Sequence, residues 1–392
     1  MRSTPRPITQ PDLNGWLFKS EVCNGCAAAS VCGSQHSSLA CPDDPPPATL
    51  RFQLHPRRRN VDRIIADLRT FDFPKRGHVV EDQRLPPYVP VVRPGNHAAW
   101  CVSDWVAVQL NNVLRRDGTI RSANSIRHSL RLNPSQRILL NCHVADHHLF
   151  TVWKYRARFA RSIASSGFDC ILAPGYSVWA THYRLDQLVA LSRSFEMFRL
   201  MHESGISAIP HVSGFTRDDW SRVGNWLSEH PEVGTVCVDL QRSRQDGAWA
   251  EEMAALRLLV ASTARSVKWV VCGVARPERL ADVSEILGKF TAVNCDVYMR
   301  AVKGRNPWPA IGGRSSLPRQ AIFEQSLHEV SGLVQNLTNV VFGPDDRVLA
   351  RHRSVPKAIR GIRSLSAEPA IGRETRRAGR TELPLVRANL AT

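Results

Sequence analysis

The clearest pattern in the chain is a series of short apolar runs between about 136 and 305, each followed by a longer segment with apolar residues at helical spacing. The six runs are RILLNCHV, DCILAP, SAIPHV, TVCVDL, KWVVCGV and TAVNCDVYM. They are continuously apolar instead of alternating, which is typical of strands buried on both faces of a parallel sheet. We therefore predict six βα units in this part of the chain.

Helix signals support this interpretation. Thr216 precedes Arg217 and two aspartates, as an N-cap residue does, and Gly205 suits the end of a helix. Upstream, PPYVPVVRPG predicts extended chain, whereas VDRIIADLRTF and HAAWCVSDWVAVQLNNVLRR have helical spacing. No Gly-rich phosphate turn follows any of the runs. We therefore favour a (β/α)8-like barrel, with its first strands in 61–135, over an open doubly wound sheet.

The α/β pattern divides the chain into three zones. Residues 1–60 form a Cys-rich module with the Pro-rich linker CPDDPPPATL, residues 61–345 form the barrel-like domain, and residues 346–392 form a basic tail. From 351 to 392 the tail has ten Lys or Arg against three acids, with no steady apolar period. We predict that it is largely disordered.

The N-terminal stretch CNGCAAASVCGSQHSSLAC places Cys23, Cys26, Cys32 and Cys41 at C-x2-C-x5-C-x8-C spacing. Four thiolates can close a tetrahedral zinc site or hold an iron-sulfur cluster. Zinc modules usually pair two C-x2-C units and there is one here, so we favour a [4Fe-4S] cluster, with Zn2+ as the alternative. Two further alternatives are that His36 replaces one of the cysteines as a ligand and that the four thiols bind no metal.

Neither a membrane span nor a secretory signal is visible in the sequence. We therefore expect a cytoplasmic protein, in a reducing compartment where clustered thiols bind metal more often than they form disulfides. The oligomeric state is not determined by the sequence.

The chain is strongly basic, with 52 Lys and Arg against 35 Asp and Glu, a net charge of +17 and a pI of about 10.0. Such a balance is typical of proteins that bind nucleic acid, DNA or RNA, since basic side chains release counterions from phosphates. An Arg-rich solvated surface is the alternative. The candidate nucleic-acid-binding residues are Arg57, Arg58, Arg59, Arg300, Lys303, Arg376 and Arg377.

Polar residues follow the apolar runs, where the loops of a parallel α/β domain collect catalytic groups. We select as candidate catalytic residues Asp239, His143, Asp146, His211 and Asp296. Asp239 is the first choice, because VCVDLQ places it directly after a buried strand. His143, Asp146, His147 and His148 also resemble a metal-binding group, though without a HExxH register. Capping of the next helix is the alternative role for each of these residues.

Several enzyme classes lack their usual marks in this sequence. It contains no G-x-x-x-x-G-K-[ST], no G-x-G-x-x-G after a strand, no G-x-S-x-G elbow and no C-x3-C-x2-C. Nucleotide hydrolysis, nicotinamide chemistry, serine hydrolysis and S-adenosylmethionine radical chemistry are therefore disfavoured.

Residues 167–227 resemble an uncharacterised α/β family of bacteria, phages and plasmids. The shared pattern is Pro174 with Tyr176 and Ser177, Arg193 with Ser194, the stretch 205–211 ending in Pro-His, and Asp219 with Trp220. More distantly, the βα series with basic charge is similar to the barrels of tRNA-guanine transglycosylases, whose strand-end carboxylates exchange a base in nucleic acid. Their zinc site follows late barrel strands, whereas the four clustered cysteines here precede the barrel.

Two functions are consistent with these patterns. The first is a nucleic-acid-modifying enzyme, by base exchange or a related reaction, of a bacterium or mobile element. The second is a non-catalytic nucleic-acid-binding factor in replication, defence or regulation, with the barrel as a scaffold. A soluble barrel with an incidental basic surface is the third interpretation.

Overall fold

The structure is a computed structural model that describes residues 85–93, 103–178, 184–241, 246–310 and 312–339. Eight parallel strands run through these residues. They are β1 (Tyr88–Val92), β2 (Trp105–Gln109), β3 (Arg137–Asn141), β4 (Cys170–Leu172), β5 (Ala208–Ile209), β6 (Thr235–Asp239), β7 (Lys268–Cys272) and β8 (Phe290–Asn294).

The eight strands form a closed barrel. Hydrogen-bonded neighbours follow the order β5-β4-β3-β2-β1-β8-β7-β6, so β1 pairs with β8. The two ends of this order meet where the Cys237 N–H donates to Pro210 O and the Val212 N–H donates to Cys237 O, each at 2.9 Å. The predicted (β/α)8 barrel is therefore confirmed, and the open doubly wound sheet is excluded.

Helices alternate with the strands around the barrel. They are α1 (Ala123–Leu130), α2 (Asp146–Lys154), α3 (Arg156–Ala164), α4 (Arg184–Glu203), α5 (Arg217–Glu229), α6 (Asp246–Ser262), α7 (Pro277–Leu287), α8 (Asp296–Lys303) and α9 (Arg319–Asn339). Among the described residues, no helix combines the length and the apolar character needed to cross a bilayer.

The side chains of each strand alternate between its two faces and contribute to two separate hydrophobic cores. One set of strand side chains packs with the helices, and it includes Val106, Leu140 and Val271. The other set contacts strand residues from around the sheet and includes Leu139, Cys237 and Cys272. Successive strand side chains point to opposite faces, so the second set fills the inside of the barrel.

All six apolar runs form strands, β3 to β8, as the sequence predicts, and β1 lies within the stretch PPYVPVVRPG, for which the sequence predicts extended chain. The helical spacing read in HAAWCVSDWVAVQLNNVLRR is wrong for its centre, where Trp105–Gln109 is strand β2 and Leu110–Asn112 is a short 3-10 helix. Burial on both faces makes the strand continuously apolar, and over so few residues this pattern also fits a buried helix. The segment VDRIIADLRTF lies outside the described residues.

Both predicted helix ends are confirmed. The Thr216 side chain accepts a hydrogen bond from the Asp219 N–H, and Asp219 accepts from the Thr216 N–H, which makes a capping box at the start of α5. Gly205 has a φ of +73°, and its N–H donates to His202 O at the end of α4.

Candidate functional site

Strands β3, β5, β6 and β7 bring reactive side chains to the carboxyl-terminal mouth of the barrel. Cys237 lies on β6 and Cys272 ends β7, both on the inner face. His143 lies two residues beyond the end of β3, and His211 lies two residues beyond the end of β5. Since inward positions recur every second residue, His143 continues the inward series of Leu139 on β3.

These side chains form one compact cluster. The Cys237 Sγ lies 3.6 Å from the Cys272 Sγ and 3.8 Å from the His143 Nδ1. The three ligand atoms of His143, Cys237 and Cys272 all lie within 4.8 Å of one another. The ring centroid of His211 is 4.6 Å from that of His143, with the planes tilted by 60°. One small group bound here would contact several of these residues.

The cluster is almost fully buried, because the two cysteines are 0% exposed and His143 is 3% exposed. Asp239, one inward position beyond Cys237 on β6, is half-buried. Its Oδ1 accepts a hydrogen bond from the Gln241 N–H at 3.0 Å and thereby shapes the turn after the strand. Asn141 shapes the turn after β3 in the same way, by accepting from the His143 N–H at 2.9 Å.

The two thiols differ in acidity because of their neighbours. Burial by itself would raise the pKa of Cys272, but the hydrogen bond from Cys237 and the positive charge of His143 lower it to about 7. Burial and the hydrogen bond to Cys272 raise the pKa of Cys237 well above its ordinary value. Burial opposes the charge of His143, yet the neighbouring Cys272 and Asp239 raise its pKa. A negative charge on Cys272 and a positive charge on His143 therefore stabilise each other.

Two buried polar atoms near the mouth have no hydrogen-bond partner among the described residues. They are the His143 Nε2 and the Ser213 Oγ, which is two residues beyond His211. Buried polar atoms are normally paired, because desolvation without a partner is costly. Their presence at the mouth is typical of a site that receives a ligand.

Gly175 makes room for His211. A Cβ added at Gly175 would lie 2.1 Å from the His211 Nδ1 and 2.4 Å from its Cγ. Since real Cβ contacts are never so short, the imidazole keeps its position only while residue 175 lacks a side chain. The loop after β4 thus shapes the mouth through its backbone.

The remaining catalytic candidates stabilise loops in this structure. The Asp146 Oδ1 accepts a hydrogen bond from the Ser177 N–H at 3.3 Å and ties the loop after β4 to α2. The Asp296 Oδ2 accepts from the Arg300 Nε, and the Arg300 Nη1 donates to Ala310 O at 2.6 Å. Arg300 is therefore engaged with its own loop, whereas Lys303 is exposed in the last turn of α8.

The predicted group of His143, Asp146, His147 and His148 does not gather around one point. His147 is exposed and its ring contacts that of His148, with 3.9 Å between the centroids and the planes tilted by 43°. In the part of the chain that the structure describes, the group able to share one ion is His143 with Cys237 and Cys272 instead.

The residues that carry the family resemblance contact one another. The Tyr176 N–H donates to the Ser194 Oγ at 2.9 Å, and the Tyr176 hydroxyl donates to Leu149 O at 3.0 Å. The Arg193 guanidinium lies 4.9 Å from the ring centroid of Trp153 and 6.0 Å from that of Tyr176. These contacts hold the loop after β4 against α2 and α4, so this part of the motif has a structural role.

Sequence reasoning missed Cys237 and Cys272. Both stand inside apolar runs, VCVDL and VVCGV, where a cysteine is usually a small core residue. The alternation of side chains along a strand could have revealed Cys237. It precedes Asp239 by two residues, so both side chains lie on the same face of the sheet. The neighbouring strand adds its own inward cysteine, Cys272, which pairs in register with Asp239.

The other predicted sites lie outside the described residues. These are the cluster ligands Cys23, Cys26, Cys32 and Cys41, and the basic residues Arg57, Arg58, Arg59, Arg376 and Arg377.

Comparison with known proteins gives likenesses of fold. No protein-family model and no curated protein matches this chain. Among solved structures, the alpha subunit of tryptophan synthase from Legionella pneumophila is similar over 72% of this chain and 99% of its own, with 13% identity and a TM-score of 0.39. A mutant tryptophan synthase alpha subunit from Pyrococcus furiosus is similar over 65% of this chain and 98% of its own, with 12% identity and a TM-score of 0.35. The barrel assignment rests on the strand order and closure described above.

Proposed function

We propose that this protein is a nucleic-acid-modifying enzyme whose reaction takes place at the carboxyl-terminal mouth of the barrel. The observation that carries this proposal is the gathering of His143, His211, Asp239 and two thiols at the carboxyl-terminal side of strands β3, β5, β6 and β7. A core needs none of these groups for packing, and each can bind or activate a substrate. Base exchange or a related modification is the reaction class that we propose.

The charge of the whole chain supports a polyanionic substrate. Within the described residues, 27 Lys and Arg stand against 21 Asp and Glu, whereas the rest of the chain has 25 against 14. The barrel is therefore mildly basic, and most of the surplus charge belongs to the flanking parts. We propose that these parts contribute most of the phosphate contacts, while the barrel contributes the chemistry.

A basic and aromatic cluster near the mouth adds a surface for nucleic acid. The guanidinium of Arg156 lies 4.8 Å from the ring centroid of Trp153, and Arg193 lies 4.9 Å from the same ring. Trp153 in turn is 6.1 Å from Tyr176, which follows β4 at the mouth. An arginine that lies over an aromatic ring can also donate to phosphate oxygens, and we propose this role for the exposed Arg156.

Replacement of Asp239 by Asn tests the catalytic part of the proposal. Asparagine keeps a side-chain oxygen for the Gln241 N–H and removes the negative charge, so the fold is retained while the chemistry changes. Nucleoside composition of total DNA and RNA is measured by mass spectrometry in host cells that lack the gene and carry either the wild-type or the Asp239→Asn copy. We expect a modified nucleoside with the wild-type copy, and its loss with the variant at unchanged nucleic-acid affinity.

Two results would contradict this proposal. Equal modification by the wild type and the variant would remove Asp239 from the catalytic machinery. Salt-dependent binding without any change in nucleoside composition would identify the protein as the non-catalytic nucleic-acid-binding factor.

A further inference from the structure

We propose that His143, Cys237 and Cys272 bind one zinc ion at the mouth of the barrel. With Zn–S distances of about 2.3 Å and Zn–N distances of about 2.0 Å, tetrahedral geometry separates two sulfur ligands by about 3.8 Å and a sulfur from a nitrogen ligand by about 3.6 Å. The corresponding separations here are 3.6 Å between the two Sγ atoms and 3.8 Å between the Cys237 Sγ and the His143 Nδ1. The third pair, the Cys272 Sγ and a ring nitrogen of His143, lies within 4.8 Å. One ion therefore fits between the three side chains once Cys272 and His143 draw slightly closer together.

The donor set selects the class of metal. Two sulfurs and one imidazole nitrogen suit zinc, whereas magnesium and calcium require oxygen ligands. The ligands are 97–100% buried, so an ion here must be neutralised locally. Two thiolates balance the double positive charge of Zn2+ and leave a neutral site.

The packing around the three side chains also indicates a ligand. They come from β6, β7 and the residues after β3, and they meet in a barrel whose interior also contains apolar residues such as Leu172 and Val293. Sulfur atoms are weak hydrogen-bonding partners for a buried imidazole, and the His143 Nε2 has no partner among the described residues. An aliphatic core would pack as well without polar groups, so a bound metal accounts for their presence.

The site has the character of a reactive centre. Among the described residues, no fourth His, Cys, Asp or Glu joins the three ligands within the same 4.8 Å. Zinc sites with three protein ligands leave a fourth position for water or substrate, whereas structural sites are closed by four. That the fourth position serves catalysis rests on the proposed function, which places the reaction at this mouth. The binding itself is independent of it.

The experiment measures zinc in the full-length chain, with Cys23, Cys26, Cys32 and Cys41 replaced by Ser so that the N-terminal thiols do not contribute. We expect one zinc per chain in this parent protein after dialysis against a weak chelator. Cys272→Ala in the parent should lose the ion. Cys170→Ala is the matched control, because Cys170 is an equally buried inward cysteine on β4 outside the metal group, and it should keep the ion.

A second measurement does not depend on the folding of any Cys272 variant. Cobalt added to the metal-free parent should give the visible bands of a tetrahedral site, with a thiolate-to-cobalt charge-transfer band of the intensity expected for two sulfurs. A parent with native circular dichroism that binds neither zinc nor cobalt would overturn the proposal. So would a Cys237–Cys272 disulfide found by mass spectrometry, or equal loss of metal in Cys170→Ala.

The metal result and the nucleic-acid result are separable. Zinc bound by His143, Cys237 and Cys272 in a protein that modifies no nucleoside would leave the metal site standing and remove the proposed function. A protein that modifies nucleosides but binds no metal at these residues would support the proposed function and overturn the metal site.

Discussion

Single residues at the mouth show how a backbone position controls a reactive side chain. Gly175 does not occupy the left-handed region of φ, so alanine fits its backbone. The obstacle is the added methyl group, which would lie within 2.6 Å of three atoms of the His211 ring. His211 is 7% exposed, so its ring has little free space around it.

We therefore expect Gly175→Ala to displace His211 and to lower the free energy of unfolding by about 1–3 kcal/mol, the range for overpacked cores. Urea denaturation measures the loss, and the pH titration of the His211 ring by NMR reports its new environment. Gly234→Ala is the control, because a Cβ there meets no atom within 4 Å. Equal stability of both variants, with an unchanged His211 titration, would show that the ring does not depend on Gly175.

At the scale of elements, the start of α5 fixes the loop that follows His211. The buried Asp219 carboxylate accepts hydrogen bonds from the Phe215 N–H and the Thr216 N–H, each at 3.1 Å. Gly214 lies against it, since an added Cβ would be 3.1 Å from the Asp219 Cβ. The neighbouring Asp218 is exposed in the same first turn and shares the favourable interaction with the helix dipole.

Asp219→Ala is expected to lower the free energy of unfolding by about 2–3 kcal/mol, because two backbone donors lose a charged acceptor. Asp218→Ala should cost at most about 1 kcal/mol, the size of a helix-dipole contribution. Thermal and urea unfolding of the two variants measure the difference. Similar losses in both would assign the effect to charge at the helix terminus and contradict a specific role for the capping box.

Most of the strands were predictable because a strand buried on both faces leaves a continuous apolar run, as in TVCVDL and KWVVCGV. Strand β2 was not, since WVAVQ is followed by LNN and further apolar residues that continue a helical period. Whether this segment forms a strand or a helix depends on how it is buried in the folded protein, and a short stretch of sequence does not contain that information. Strand β5, with two residues, was found because SAIPHV lies between two strong helix patterns.

At the scale of the whole molecule, the site arises because barrel closure brings distant segments together. Polar residues after strands predicted His143, His211 and Asp239, which are gathered at one mouth. The same reasoning could not separate these from Asp146 and Asp296, whose hydrogen bonds to Ser177 and Arg300 hold loops. Cys237 and Cys272 were missed because their contact with His143 depends on register between strands, which no single run contains.

Charge distribution gives the whole molecule its last testable property. The net charge of +17 is concentrated outside the described barrel, and residues 351–392 alone hold ten Lys or Arg against three acids. If this segment contacts phosphates, each contact adds about 0.7–0.9 to the slope of log affinity against log salt concentration. Deletion of 351–392 should therefore flatten that slope by several units and weaken binding at low salt. Fluorescence anisotropy with labelled single-stranded and duplex oligonucleotides over a salt series measures the slope. A deletion that leaves it unchanged would place the phosphate contacts elsewhere, and affinity indifferent to salt in the intact chain would contradict nucleic-acid binding altogether.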